Sequence, residues 1–290
     1  MDSKKWTQKN RSDKVNSEFL IRQKLSEADL ELNMTVLETT ETRPIACTDS
    51  EWAARLKLAA TYRVFFMLGW HELIFNHITL RVPGTDDQLL INPFGLAYDE
   101  VTASNLVKID LTGKVLSDSQ YPVNPAGLTI HSAVHGNVPA AHCVMHIHTT
   151  ASVAVACMEE GLEDNNIYSS QLHGMLAYHT FEGTTVHDEE KSRMVASLGN
   201  KRLMILRNHG LLAHGTTLGH AFVLIWTLNR ACEIQLATHS MRGKTLLVDP
   251  QISERSTRDA LQYDPRFGGG DQVLDALIRR LERTDTSYRQ

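Results

Sequence analysis

The chain has 290 residues, 42% of them hydrophobic and 22% charged, with a formal net charge of −5. That length suits one large domain or two small ones with a sizeable core. The slight acidity and the lack of a basic stripe give no footing for nucleic acid, whose phosphates need clustered Lys and Arg.

No run approaches 18 consecutive apolar residues, so no membrane-spanning helix is expected. The opening "MDSKKWTQKNRSDKV" carries the charges of a signal peptide without its apolar centre. Cys47, Cys143, Cys157 and Cys232 show no CxxC spacing, which argues against a zinc ribbon or a disulfide framework. A reduced, cytoplasmic setting is the expectation, with small molecules or proteins as partners.

In chain order, residues 1–47 are polar, with only short apolar clusters, and read as a flexible or surface-wrapping arm. Order is expected to begin at "TDSE", where Thr48 and Glu51 have capping-box spacing. A helix follows, with Trp52, Leu56, Ala59, Tyr62 and Phe66 at helical intervals and Gly69 as its end. "HITLRV" and "QLLINP" flank the turn signal "PGTDD" and predict a hairpin, and "LVKIDLTGKVL" predicts a further strand with a turn at Thr112 and Gly113.

After "NPAG", the segment "LTIHSAVHG" predicts a helix, "AHCVMHIHT" a strand and "TASVAVACMEEG" another helix. "KRLMILRNHGLLAHG" predicts two strands around a tight turn, and Thr216 is placed to cap the long helix "LGHAFVLIWTLNRACEIQLAT". Residues 48–243 then form one domain of α/β or α+β layering, without an internal repeat. Residues 244–290 read as a C-terminal extension with a terminal helix, "DQVLDALIRRLERT".

The chemistry concentrates in the 14 histidines. On a strand, His146 and His148 point to one side about 7 Å apart while Met145 and Ile147 point to the other, which suits an HxH chelate. His209, at a strand end in "RNHGLL", is the best-placed third ligand. His142 shares their parity but sits at the strand's start, and reads as a surface residue or one that supports the ligands from behind. Spacing alone also allows the plainer reading of a half-buried strand whose imidazoles bond to carbonyls or water. His131 and His135 have the i, i+4 spacing of a helical site but lack the Glu of HExxH. His173, His179, His187, His214, His220 and His239 have no partner at ligand spacing.

Taken together, "LLINPFGLAYDEVTASNLVKID", "VMHIHTTASVAVA" and "ILRNHGLLAHG" resemble the class II aldolase and adducin family over about residues 50–240. The resemblance implies a single three-layer α-β-α domain around a mainly antiparallel sheet, commonly a homotetramer with sites at subunit interfaces. It also implies a catalytic metal on His146, His148 and His209, with Zn2+ as the first expectation and Fe2+ as the alternative.

The departures from the family pattern narrow the chemistry. The family's sugar-phosphate aldolases carry Ser-Ser-Glu where this chain has Pro125, Ala126 and Gly127. A Gly-Asn pair becomes Asn76 and His77, and a phosphate-holding Thr-Gly becomes Phe94 and Gly95. A dianionic phosphate needs converging N–H and O–H donors, which these side chains do not supply, and glycine cannot act as the acid-base group. Asn76, Phe94 and Gly127 are then expected to line the site of a non-phosphorylated oxo or hydroxy compound, with His131 or His173 moving protons.

A lyase working through a metal-stabilised enolate is the first reading, and a three-His iron oxygenase acting on a 2-oxo or 2-hydroxy acid is the second. Adducin keeps the fold as a cytoskeletal protein without the metal histidines, so a non-catalytic scaffold is the third.

Overall fold

The computed structural model describes residues 44–185 and 187–290; the expectations for residues 1–43 lie outside the described residues. The first helix, α1 (Asp49–Leu68), starts at the predicted Thr48, whose Oγ1 accepts the Glu51 N–H at 3.1 Å, and ends at Gly69 with φ +74°. The capping box itself is not completed. The Glu51 carboxylate turns inward and takes Arg55 Nε and Lys108 Nζ, each at 2.9 Å, because a buried carboxylate is held best by opposite charges and their hydrogen bonds.

Seven strands follow: β1 (His77–Arg81), β2 (Gln88–Ile91), β3 (Val107–Asp110), β4 (Cys143–Ile147), β5 (Leu176–His179), β6 (Leu203–Leu206) and β7 (Gly210–Gly215). They form one sheet in the order β3-β2-β1-β4-β7-β6-β5. Every neighbouring pair is antiparallel except β5 and β6. The sheet is therefore mixed and mainly antiparallel, as the resemblance implied.

Strand alternation sorts the residues into layers. Cys143, Met145 and Ile147 of β4 join Ile78 and Leu80 of β1 in a core shared with Leu58, Tyr62 and Phe65 of α1, and with Phe222, Leu224 and Leu228 of α6 (Leu218–His239). Val144 faces the other way, with Met204, Leu206 and Leu212. There it meets Ile130 and Val134 of α2 (Pro125–Asn137), and Met194 and Leu198 of α5 (Asp188–Leu198). Helices thus cover both faces of the sheet.

Residues 244–290 add α7 (Pro250–Asp259) and α8 (Asp271–Leu281). Leu274, Leu281 and Tyr288 belong to the α1-side core. Gly219 permits this docking, since a Cβ there would stand 2.4 Å from the Asp271 Cα.

Several predicted boundaries move, each for a local reason. Helix α2 begins at Pro125, inside "NPAG", because Asn124 caps it by accepting the Ala126 N–H at 3.1 Å and proline needs no partner at the first helical position. Thr217, not Thr216, caps α6, accepting the His220 N–H at 3.0 Å. The run "LVKIDLTGKVL" is strand only at Val107–Asp110 and then turns, with the Gly113 N–H bonded to the Asp110 carbonyl at 3.0 Å. Four helices and strands carried too weak a pattern to predict: α4 (Ile167–Ser170), β5, α5 and α7. In α5 only Glu190, Met194 and Leu198 are buried, a single narrow stripe. None of the described helices is long and apolar enough to cross a membrane.

Strands β4 and β6 run together and β7 runs against both. The ends of β4 and β6, the start of β7 and, through antiparallel pairing with β4, the start of β1 therefore meet at one end of the sheet.

Candidate metal centre

At that end, His146 and His148 leave β4 toward the α2 side while Met145 and Ile147 enter the apolar core. His146 is fully buried, and its Nδ1 donates to the Leu211 carbonyl on the neighbouring strand at 2.8 Å. A carbonyl only accepts, so this bond fixes the tautomer and leaves Nε2 as a lone pair. His148 Nε2 lies 2.6 Å from His146 Nε2, and His209 Nε2 lies 3.3 Å from it. The ligand atoms of all three fall within 4.8 Å of one another.

Local sequence explains the convergence. Thr149 follows His148 and caps helix α3 (Thr150–Ala156), accepting the Ser152 N–H at 3.2 Å, so the chain leaves the strand just past the second histidine. His209 sits in the three-residue turn between Leu206 and Gly210. Asn208 takes the left-handed conformation there (φ +57°), which asparagine tolerates better than most residues. A Cβ on Gly210 would stand 2.4 Å from the Ile147 carbonyl and 2.8 Å from the His148 ring. The glycine of "NHG" therefore lets two strands and two imidazoles close on one point.

Burial holds all three imidazoles neutral at ordinary pH. It pushes His146 well below the usual range, with the charges of His148, His209 and His77 adding to the effect. Burial, then His209, takes His148 down to about 4, and burial lowers His209. Neutral imidazole nitrogens this close either share a proton between them or, where both are bare, need a cation among them. Two nitrogens held tetrahedrally about 2.0–2.1 Å from a zinc ion would be about 3.3 Å apart. The donor type, the His146 tautomer and the 3.3 Å between His146 and His209 suit a divalent ion, while the 2.6 Å between His146 and His148 would have to widen to hold one.

Behind this triad runs a second set of imidazoles. His77, the register partner of His146, stacks on it with ring centroids 5.2 Å apart. His77 Nδ1 lies 2.8 Å from His131 Nε2. Thr79 Oγ1 bridges His131 Nδ1 at 2.6 Å and His135 Nε2 at 2.7 Å, and His135 Nδ1 lies 2.7 Å from the Ala141 carbonyl.

The other predicted site residues fall in different places. Gly127 lies buried under the His77 ring, where a Cβ would come within 2.6 Å of the imidazole. Asn76 is buried beside it in sequence; its Nδ2 donates to the Trp70 carbonyl at 2.8 Å and its Oδ1 has no partner. Phe94 is half-buried in the loop after β2, its N–H bonded to the Pro122 carbonyl. His142 is exposed, as expected.

The two histidines expected to move protons do not reach the triad. His131 has both ring nitrogens engaged, and His77 occupies the position between it and the metal ligands. His173 precedes β5, which runs parallel to β6. It therefore lies at the opposite end of the sheet, paired with Asp164 at 2.6 Å. Reading histidines by sequence spacing missed His77, Thr79 and His135 as one group. The available signal was the alternation of "HIT", which puts His77 and Thr79 on one face, combined with the i, i+4 pair on α2.

The sequence pattern of the Class II Aldolase and Adducin N-terminal domain matches residues 56–236. A protein of Pseudomonas aeruginosa, provisionally named an aldolase class 2 protein, is 43% identical over 243 residues, covering 83% of this chain and 93% of that one. Rat alpha-adducin is 39% identical over 281 residues, covering 89% of this chain but only 38% of its own length. An aldolase II superfamily protein of Pseudomonas syringae superimposes with a TM-score of 0.79 at 39% identity, covering 84% of this chain and 98% of that one. The L-fuculose 1-phosphate aldolase of Glaciozyma antarctica does so with a TM-score of 0.73 at 25% identity, covering 86% and 98%. By this likeness in sequence and in fold, the chain belongs to the class II aldolase and adducin family.

Proposed function

We propose that the protein is a divalent-metal-dependent lyase acting on a small, non-phosphorylated oxo or hydroxy compound. The observation that carries this reading is the convergence of His146, His148 and His209 on one point, with the His146 tautomer locked by the Leu211 carbonyl. These three residues would hold the ion, which when bound supplies Lewis-acid polarisation of a substrate oxygen. Zinc is the first expectation and iron(II) the second.

The exclusion of phosphate rests on the α2 N-terminus. Pro125 has no N–H, and the Ala126 N–H is already taken by Asn124, so two of the donors that a helix start offers an anion are spent. Phe181, half exposed with its ring centroid 6.4 Å from that of His209, gives the site an apolar wall. Such a wall keeps water from part of the site and favours a substrate with a carbon chain over a compact dianion.

The test is metal analysis of protein purified without added metal, on wild type, His146→Ala and His209→Ala, alongside cleavage and decarboxylation assays on 2-oxo and 2-hydroxy acids and their phosphorylated counterparts. The expected result is bound zinc lost in both variants, with turnover confined to the non-phosphorylated compounds. Metal retained in both variants, or a preference for the phosphorylated compounds, overturns the proposal. Iron that supports O2 uptake with a 2-oxo acid would move the reading to an oxygenase.

The 39% identity to alpha-adducin favours one second reading, a non-catalytic scaffold. It predicts no turnover and no affinity for small acids. The homotetramer and the small-molecule partner are part of the proposal, the former checked by light scattering.

A further inference from the structure

The chain of contacts behind the triad has a direction that chemistry fixes. The Ala141 carbonyl can only accept, so His135 Nδ1 carries a proton and donates to it at 2.7 Å. His135 is buried and neutral: burial first, then the Arg81 charge, pushes it down to about 3. Its Nε2 is therefore an acceptor, and the single proton of the Thr79 hydroxyl goes there. Thr79 Oγ1 must then accept from His131 Nδ1, which leaves His131 Nε2 to accept from His77 Nδ1. The sequence ends at His77 Nε2, a lone pair that finds no hydrogen-bond donor among the described residues.

That lone pair stands beside the candidate metal ligands. The His77 ring stacks on His146 at 5.2 Å and covers Gly127, where a Cβ would come within 2.6 Å of the ring and 3.0 Å of Nε2. Any side chain at position 127 would displace the imidazole, so glycine there and histidine at 77 belong together.

We infer that His77 is the residue that recognises a substrate hydroxyl, and that the relay through His131, Thr79 and His135 positions it by holding its Nε2 as a hydrogen-bond acceptor. This rests on the metal-enzyme reading above. The relay selects a donor: an alcohol or enol O–H next to the metal-binding oxygen is accepted, whereas a carboxylate or phosphate oxygen in the same place faces a lone pair. The specificity for hydroxy compounds thus comes from a tautomer set by the Ala141 backbone, with three residues of the relay in between. Two neutral imidazoles and a hydroxyl do this without carrying a charge themselves, the buried Arg81 guanidinium standing outside the relay on the His135 carbonyl.

The experiment uses the zinc-loaded full chain and two chelators, glycolohydroxamate and acetohydroxamate, which differ by one hydroxyl. Calorimetry should show the hydroxylated probe binding wild type about five- to tenfold more tightly, the worth of one neutral hydrogen bond. In His77→Phe that preference should shrink to within about twofold, and in Thr79→Val, which lets the His77 tautomers mix, it should fall by about half, with zinc and acetohydroxamate still bound by both. His77→Gln, whose amide oxygen still accepts, should restore part of it.

Independently of any probe, long-range 15N–1H spectra should show His77 with Nδ1 protonated and Nε2 bare in wild type, and a mixture of tautomers in Thr79→Val. A protonated Nε2 in wild type, or a hydroxyl preference that survives His77→Phe, overturns the inference. If His77→Phe does not fold, Thr79→Val decides, because it keeps the ring. Wild type that takes up no zinc sinks the metal reading and this role with it, whereas zinc and acetohydroxamate bound without hydroxyl preference overturns the role of His77 alone.

Discussion

Two groups of histidines lie side by side at one end of the sheet, and the same side chain does opposite things in them. In the triad, three Nε2 atoms converge, those of His148 and His209 lying 2.6 and 3.3 Å from the bare Nε2 of His146, with no side chain of another type between them. In the relay, every nitrogen except the terminal His77 Nε2 meets a complementary partner at 2.6 to 2.8 Å, and Thr79 joins the two imidazoles that do not touch directly. The difference lies in the anchors. Leu211 fixes one ring of the triad so that its lone pair faces the other two, while Ala141 fixes one end of the relay so that donors and acceptors alternate along it. A backbone carbonyl decides in both cases, because it can only accept.

The largest expected effect comes from removing the buried member of the triad. His146→Ala should lower metal affinity by more than about 100-fold, well beyond the 10- to 100-fold typical of losing an outer hydrogen-bond partner. The relay should survive it, since none of its bonds uses His146. Metal titration and the His77 ring spectrum on the same sample check both halves, and a disrupted relay would break the distinction between the groups.

Acid should act on both groups through stability. His77 and His135 are each held down to about 3, His148 to about 4, and His131 and His146 well below the ordinary value of 6.5. The unfolded chain therefore binds more protons than the folded one between pH about 6.5 and about 3, so stability rises with pH across that window and falls as pH drops through it. The urea midpoint should be flat above about pH 7 and decline steadily below about 6.5. Added zinc should raise the curve at neutral pH and lose its effect as the ligands protonate. A midpoint that stays flat down to pH 4 would contradict the neutral burial of both groups.

Gly210→Ala separates packing from ligation, because it adds one methyl against the Ile147 carbonyl and the His148 ring. Forced overpacking of this kind should cost about 1–3 kcal/mol, read by denaturation, with metal affinity falling as His148 is pushed away. The smallest effect belongs to Asn208. Asn208→Ala should cost about 1 kcal/mol, because it keeps the β-carbon at φ +57° but loses the polar side chain that makes this region tolerable, and Asn208→Gly should be close to neutral. If the alanine variant loses no stability, the turn is not what holds His209 in place.

The histidine triad was legible because its signals are local. The period of two in "HIH" puts two imidazoles on one side, and "NHG" combines a residue tolerant of positive φ with one that lacks a Cβ. Layering was legible for the same reason, from runs of apolar residues with clear periods in α1, α6 and β4. The weakly patterned elements were not: α5 buries three residues and β5 is four residues long, so their formation is decided by what they pack against.

The proton-moving role of His131 and His173 was a matter of distance in space, which spacing along the chain does not carry. His173 lies at the far end of the sheet, and His131 lies one imidazole behind the triad. What the sequence by itself determined is the family, the alternation of the sheet, the three candidate ligands and the presence of Pro125, Ala126 and Gly127 where Ser-Ser-Glu was the pattern. What only the tertiary structure decided is which groups meet across elements. β1 pairs with β4 in the register that stacks His77 on His146, and α2 crosses that face so that His131, Thr79 and His135 close into one relay. Register and helix docking follow from burial summed over the whole core, and no single stretch of sequence encodes that sum.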